Sequence, residues 1–275
     1  MTGFDFRGWV AKRPIIGMIH LAPLPGSPRS SAVSGLVDVM ERALADASAL
    51  VEGGCHGIMM EYFGDAPFFP GRVPTHVIAA MTAIACEVKR RFGVPLGINV
   101  LRNDGLSALA VAAAAGADFI RVNVLTGARV TDQGVIQGIA HDLIRERALL
   151  NVRHIQVMAD VDVKHSAPLA LRPLEDEVLD LIKRGMADAV IVSGSGTGAP
   201  VDMDKLCIVK SVASPIPVFI GSGTTSASIA HLASHADGFI VGSAFKSGGD
   251  TARPIDVGRV REMCRLHKNI QERHH

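Results

Sequence analysis

The sequence predicts a (β/α)8 barrel, and three observations carry that expectation. Eight apolar, strand-like runs alternate with helical segments: residues 15–21, 57–61, 95–100, 118–123, 155–160, 188–193, 217–221 and 237–241. Nearly every run ends in a polar residue able to do chemistry, and in barrels such residues build the active site at the C-terminal strand ends. The length of 275 residues is near that of one barrel, so a single domain spanning 1–275 is expected.

Composition agrees with this reading. Apolar residues make up 48% and aromatics only 4%, which suits parallel strands buried on both faces. The formal net charge of +1 offers no broad attraction to nucleic acid or to an anionic membrane, yet leaves room for a local anion site. Cys55, Cys86, Cys207 and Cys264 form no C-x-x-C pair. Reduced thiols in a cytoplasmic protein fit this better than a disulfide framework or a zinc site. The first 13 residues lack a signal-peptide core, and no apolar run approaches 18 residues, so no integral membrane segment is expected. The closing Arg273-His274-His275 is given no function.

The connections follow in order. After the first run, Pro23, Pro25 and Pro28 stiffen a loop that can be neither helix nor interior strand. A helix is predicted over 36–52, ended by Gly53-Gly54. The second run leads into Tyr62, Phe63, Phe68 and Phe69, an aromatic loop suited to a hydrophobic plug, a ligand lid or a subunit contact in a homo-oligomer. Helices are predicted over 75–92 and 104–115, with Asp104 as an N-cap. A long loop at 126–134 is a candidate for function. Further helices are expected over 136–149, 174–184, 203–212, 226–234 and 256–268.

Alternation along strands then selects the inward side chains. In the fourth run Ile120 and Val122 face the helices, which turns Arg121 and Asn123 into the barrel. In the fifth, Met158 and Asp160 point inward, and Asp162 and Lys164 join them if the chain stays extended. His20, Glu61 and Asn99 end the first three runs. The expected mouth therefore holds His20, Glu61, Asn99, Arg121, Asn123, Asp160, Asp162 and Lys164. So many buried charges are costly unless they pair with each other or meet a ligand.

Two glycine-rich loops follow the last two strands. They are Gly221-Ser222-Gly223-Thr224-Thr225 and Gly242-Ser243-Ala244-Phe245-Lys246. Barrels often bind phosphate in this place, because glycine permits close backbone approach and free amides attract an anion. Gly221, Ser222, Gly223, Gly242, Ser243 and Lys246 are the expected phosphate-binding residues. The loop after the sixth run supplies Ser193, Ser195 and Thr197 as candidate substrate contacts; it lacks a Walker lysine.

These segments resemble the BtpA/SgcQ family from about Pro14 to Arg265. The resemblance rests on Gly17-Met18-Ile19-His20-Leu21, Phe63-Gly64-Asp65-Ala66-Pro67-Phe68, Leu101-Arg102-Asn103-Asp104, Thr131-Asp132-Gln133-Gly134 and Val163-Lys164-His165. It implies a barrel of the ribulose-phosphate-binding type, and it brings a family label of photosystem I biogenesis. The family pattern A-D-V-H-V-K-H carries His where this chain has Asp162.

Two readings of function follow. In the first, the protein is an enzyme acting on a small phosphorylated sugar or nucleoside-like metabolite, as a lyase, epimerase or hydrolase. Glu61, Asp160 or Asp162 would be acid and base, and Lys164 a candidate for Schiff-base formation. A divalent metal held by His20, Glu61 and Asp160 is a candidate cofactor, although no H-E-x-x-H spacing supports it. In the second, the barrel is a non-catalytic assembly factor that uses its surface to bind other proteins.

Overall fold

The structure is a computed structural model that describes residues 4–30, 35–194, 196 and 198–273. Eight parallel strands close into a barrel: β1 (Ile15–His20), β2 (Gly57–Tyr62), β3 (Leu96–Val100), β4 (Phe119–Val122), β7 (Gln156–Val161), β9 (Ala189–Val192), β10 (Val218–Ile220) and β11 (Gly238–Val241). Their order around the barrel is β1-β11-β10-β9-β7-β4-β3-β2, so sequential barrel strands are neighbours and β1 pairs with β11 to complete the ring. Each predicted run overlaps one of them, and β2 and β7 extend one residue past theirs. The helices α2 (Leu36–Glu52), α3 (Thr75–Arg91), α4 (Gly105–Ala115), α5 (Ala140–Leu149), α6 (Leu174–Leu179), α7 (Met203–Ala213), α8 (Ile229–Leu232) and α9 (Val257–Arg273) fill the connections.

Two apolar layers hold the barrel. Inward residues such as Ile16, Met18, Met59, Phe119, Met158, Ile191 and Phe219 fill the interior. Outward residues such as Ile58, Ile98, Ile120 and Val190 pack under the helices. Gly97 faces inward, and a Cβ there would lie 2.0 Å from the Phe119 ring, so glycine makes room for the aromatic. The lower end is stoppered by a short helix, α1 (Phe6–Val10), which the sequence did not reveal. Its Trp9 ring lies 5.7 Å from Phe119 and 6.3 Å from Phe219, and Nε1 donates to the His56 carbonyl at 2.9 Å.

Helix ends follow local chemistry. Asp104 caps α4, its Oδ1 accepting from the Ser107 amide at 2.9 Å, and Gly116 ends the helix with φ 67°. Three expectations fail. The helix foreseen over 136–149 begins only at Ala140, because Ile136 belongs to a hairpin of β5 (Ala128–Thr131) and β6 (Gly134–Gln137). With β8 (Ser166–Pro168) this hairpin forms a small antiparallel sheet beside the mouth. The helix foreseen over 226–234 shrinks to the four residues of α8. The helix over 174–184 becomes π-helical from Asp180 to Arg184.

Candidate active site at the barrel mouth

Arg121 is the centre of the mouth. Its Nε and Nη2 each donate to an Asp160 carboxylate oxygen at 2.8 Å, a bidentate pair in which both side chains are buried. Asn123 adds a bond to Asp160 Oδ2 at 3.1 Å, and Ser193 one to Oδ1 at 3.4 Å. Asn99 braces the group by donating to the Arg121 carbonyl and to Asn123 Oδ1. Burial works against the Arg121 charge, but the Asp160 carboxylate outweighs it and raises the pKa. Asp160 thus has its oxygens occupied by donors, which suits holding Arg121 in place more than accepting a substrate proton.

Glu61, His20 and Lys164 sit beside this pair without such saturation. Glu61 is buried, and desolvation raises its pKa despite Arg121 and Lys164 nearby. Its Oε1 lies 3.8 Å from His20 Nε2. His20 is lowered to about 3, first by burial and then by Lys246, Lys164 and Arg121, so it is a neutral imidazole. Its Nδ1 is buried without a partner among the described residues, and its ring packs on Phe63 at 4.5 Å. Lys164 is lowered by burial and by Arg121, and no ion pair reaches its ammonium among the described residues.

These groups line one cavity with the glycine loops. His20, Glu61, Arg121 and Lys164 share it with Gly221, Ser222, Gly223, Thr224, Gly242, Ser243 and Ala244, and its volume is about 30 Å³. The amides of residues 222–224 and 242–244 make no backbone hydrogen bond among the described residues. The Thr224 hydroxyl is buried and lacks a partner there too. Gly223 has φ 79°, and a Cβ on it would lie 2.1 Å from the Ala199 carbonyl oxygen. Only glycine fits that close approach of two loops. Ser222 Oγ accepts from the Gly194 amide at 3.2 Å, tying these same loops together.

Three expected site assignments change. Asp162 leaves the mouth: its φ of 48° breaks the alternation that would have aimed it inward, and its carboxylate pairs with Arg129 and with Lys205, the latter at 2.6 Å. It lines a second cavity of about 190 Å³ beside the small sheet, together with Arg129, Glu177 and the mouth residues Asn123 and Asp160. Lys246 is not free to meet an anion, because its fully buried ammonium pairs with Asp46 of α2 at 2.7 Å. The trio His20, Glu61 and Asp160 does not assemble a metal site. Arg121 and Asn123 already occupy the Asp160 oxygens, and no cluster of three metal-binding side chains occurs among the described residues. Ser193 serves Asp160, while Ser195 and Thr197 lie outside the described residues.

Sequence reasoning passed over two residues. Thr224 lies in the expected loop but was not singled out, and its polar atom carries the signal only when burial is known. Arg102 is 5% exposed, and its Nη2 donates to the Lys164 carbonyl at 2.6 Å. It stands beyond the end of β3, where strand alternation gives no guide.

The fold and the mouth define a (β/α)8 barrel with a charged centre and two glycine-rich loops after its last two strands. Solved barrels of low identity share this fold. Tryptophan synthase from Mycobacterium tuberculosis is 21% identical with a TM-score of 0.58, over 94% of each chain. N-(5'-phosphoribosyl)anthranilate isomerase from Pyrococcus furiosus is 13% identical with a TM-score of 0.53, over 93% of this chain and 99% of that one. At the level of sequence, the BtpA family profile matches residues 11–269, and the chain belongs to the BtpA family. An uncharacterized protein of Thermococcus kodakarensis is 45% identical over 262 residues, covering 95% of this chain and 97% of its own. The photosystem I biogenesis protein BtpA of Synechocystis is 46% identical over 255 residues, covering 93% and 88% respectively.

Proposed function

We propose that this protein is an enzyme that performs acid–base chemistry on a small phosphorylated sugar or nucleoside-like metabolite. The carrying observation is the one cavity in which Glu61 and Lys164 meet two loops whose amides are unbonded among the described residues. The amides of residues 222–224 and 242–244, with the Thr224 hydroxyl, would receive the phosphate. Gly198 and Ala199 press on Ser243 and Gly223, so those contacts must open to seat all four oxygens.

The reacting end of the ligand would then lie against Glu61, His20 and Lys164. Burial raises the Glu61 pKa and lowers that of Lys164, which makes the first a readier proton donor and the second a readier acceptor than either would be in water. The neutral amine is also the form that attacks a carbonyl to make a Schiff base, with loss of water. The arrangement therefore supports lyase or epimerase chemistry. The name of one similar barrel, N-(5'-phosphoribosyl)anthranilate isomerase, agrees with a phosphate-bearing substrate.

The test is a turnover screen of phosphorylated sugars and nucleosides, repeated with Glu61→Gln. Loss of an essential acid or base should lower turnover by about 10²–10⁴-fold, with the melting temperature held. A Glu61→Gln protein that turns over like the parent would remove Glu61 from the reaction. A second reading, an assembly factor, is favoured by the name of the Synechocystis relative and by the exposed Val130 and Val135, which face each other on the small sheet. It predicts no turnover in the same screen.

A further inference from the structure

Among the described residues, Arg102, Arg121 and Lys164 stand at the mouth, and only Arg121 has a carboxylate of its own there. Arg121 is paired with Asp160. Lys164 and Arg102 form no ion pair among the described residues. Arg102 is 5% exposed, and a single bond, from Nη2 to the Lys164 carbonyl, engages its guanidinium there. Nε and Nη1 keep their donors. A cation this buried is costly unless something anionic meets it.

Its place in the barrel says which part of a ligand that would be. Arg102 follows β3, and the Gly221–Thr224 loop follows β10. In the closed order, β4, β7 and β9 separate these strands on one side and β2, β1 and β11 on the other. They stand opposite each other across the mouth. The neighbouring residues of the same motif are spent on structure. Asn103 exchanges two bonds with the Val124 backbone, and Asp104 caps α4. Arg102 alone is left facing the charged centre, where Asp160, Asp132, Arg121 and Glu61 are the charges it feels most.

We propose that the ligand carries a second anionic group, a carboxylate, at the end remote from its phosphate, and that Arg102 beside Lys164 receives it. The substrate class is then a phosphorylated sugar acid or related phospho-carboxylate. A planar fork with free donors matches the two oxygens of a carboxylate. The ligand would span the mouth, with its middle carbons over Glu61, His20 and Lys164. This inference rests on the phosphate reading given above.

Titration calorimetry with inorganic phosphate and two matched pairs of probes tests it. The pairs are 3-phosphoglycerate with glycerol 3-phosphate, and 6-phosphogluconate with sorbitol 6-phosphate. Each pair keeps its chain length and phosphate and exchanges a carboxylate for a hydroxymethyl group. The intact protein should bind the carboxylate member of at least one pair about tenfold more tightly, the scale of a charge-assisted bond. Arg102→Gln should erase that preference while inorganic phosphate binds as before, and Arg102→Lys should restore part of it. Equal binding within both pairs, with phosphate still bound, overturns the carboxylate assignment and leaves the phosphate reading standing. Absence of binding by inorganic phosphate and all four probes overturns both. An Arg102→Gln protein that also loses inorganic phosphate overturns the assignment as well, because Arg102 then only shapes the mouth through the Lys164 carbonyl.

Discussion

Asp160 and Glu61 are both buried carboxylates at strand ends, yet their surroundings give them different work. Asp160 is held by Arg121, Asn123 and Ser193, so removing its charge orphans a buried guanidinium. Asp160→Asn should therefore cost about 3–5 kcal/mol of stability, read by denaturant titration, with turnover falling because Arg121 is misplaced. Glu61 makes no such bonds among the described residues. Strand alternation found Asn99, Arg121, Asn123 and Asp160 because each lies in or next to a regular strand. It failed at Asp162, where a positive φ ends the extended chain; Lys246, expected from its glycine-rich loop, is instead held by Asp46.

His20 gives the mouth a pH signature. Its folded pKa is about 3, against 6.5 unfolded. Between those values the unfolded chain binds the extra proton, so stability rises with pH through the window and is lost as pH falls below 6.5. The slope is on the order of 1 kcal/mol per pH unit. His267, lowered to about 4, first by burial, adds a parallel contribution. His20→Asn should flatten the dependence of melting temperature on pH from 6.5 downward. An unchanged slope would show that the imidazole is not held neutral by its site.

At the scale of elements, one device recurs without being a sequence repeat in any wider sense. Asp118, Asp188 and Asp237 each follow an alanine and precede a barrel strand, and each carboxylate accepts from an amide of the strand before. The acceptances onto Leu96, Val157 and Val218 measure 2.8, 2.8 and 2.7 Å. Lys89, Arg147 and Lys210 close the pairs from the outer helices or their neighbours. These are clasps at the lower rim, far in topology from the mouth. Asp188→Ala should lower stability by about 1–3 kcal/mol, since it strips an amide and an arginine of their partner, while KM for any substrate found stays the same. Sequence periodicity placed the strands that these clasps join. It missed the hairpin of β5 and β6, because four-residue strands in a polar loop carry too little alternation to stand out.

For the whole molecule, the barrel was legible because its strands are buried on both faces and read as unbroken apolar runs, each followed by a helix-length segment. The two glycine-rich loops were legible through glycine, whose need is now physical at Gly223. Arg102 and Thr224 were not, since burial marks both, together with the lack of a carboxylate at Arg102 and of a partner for the Thr224 hydroxyl among the described residues. The account stands on an anion seated by the two loops. The most direct measurement is diffraction from crystals soaked in arsenate, a phosphate mimic located by its anomalous scattering. The account predicts arsenate oxygens bonded to the amides of residues 222–224 and 242–244, with Gly198 and Ala199 displaced. Crystals at saturating arsenate with no anion at those amides, or with those amides turned to protein carbonyls, would contradict it.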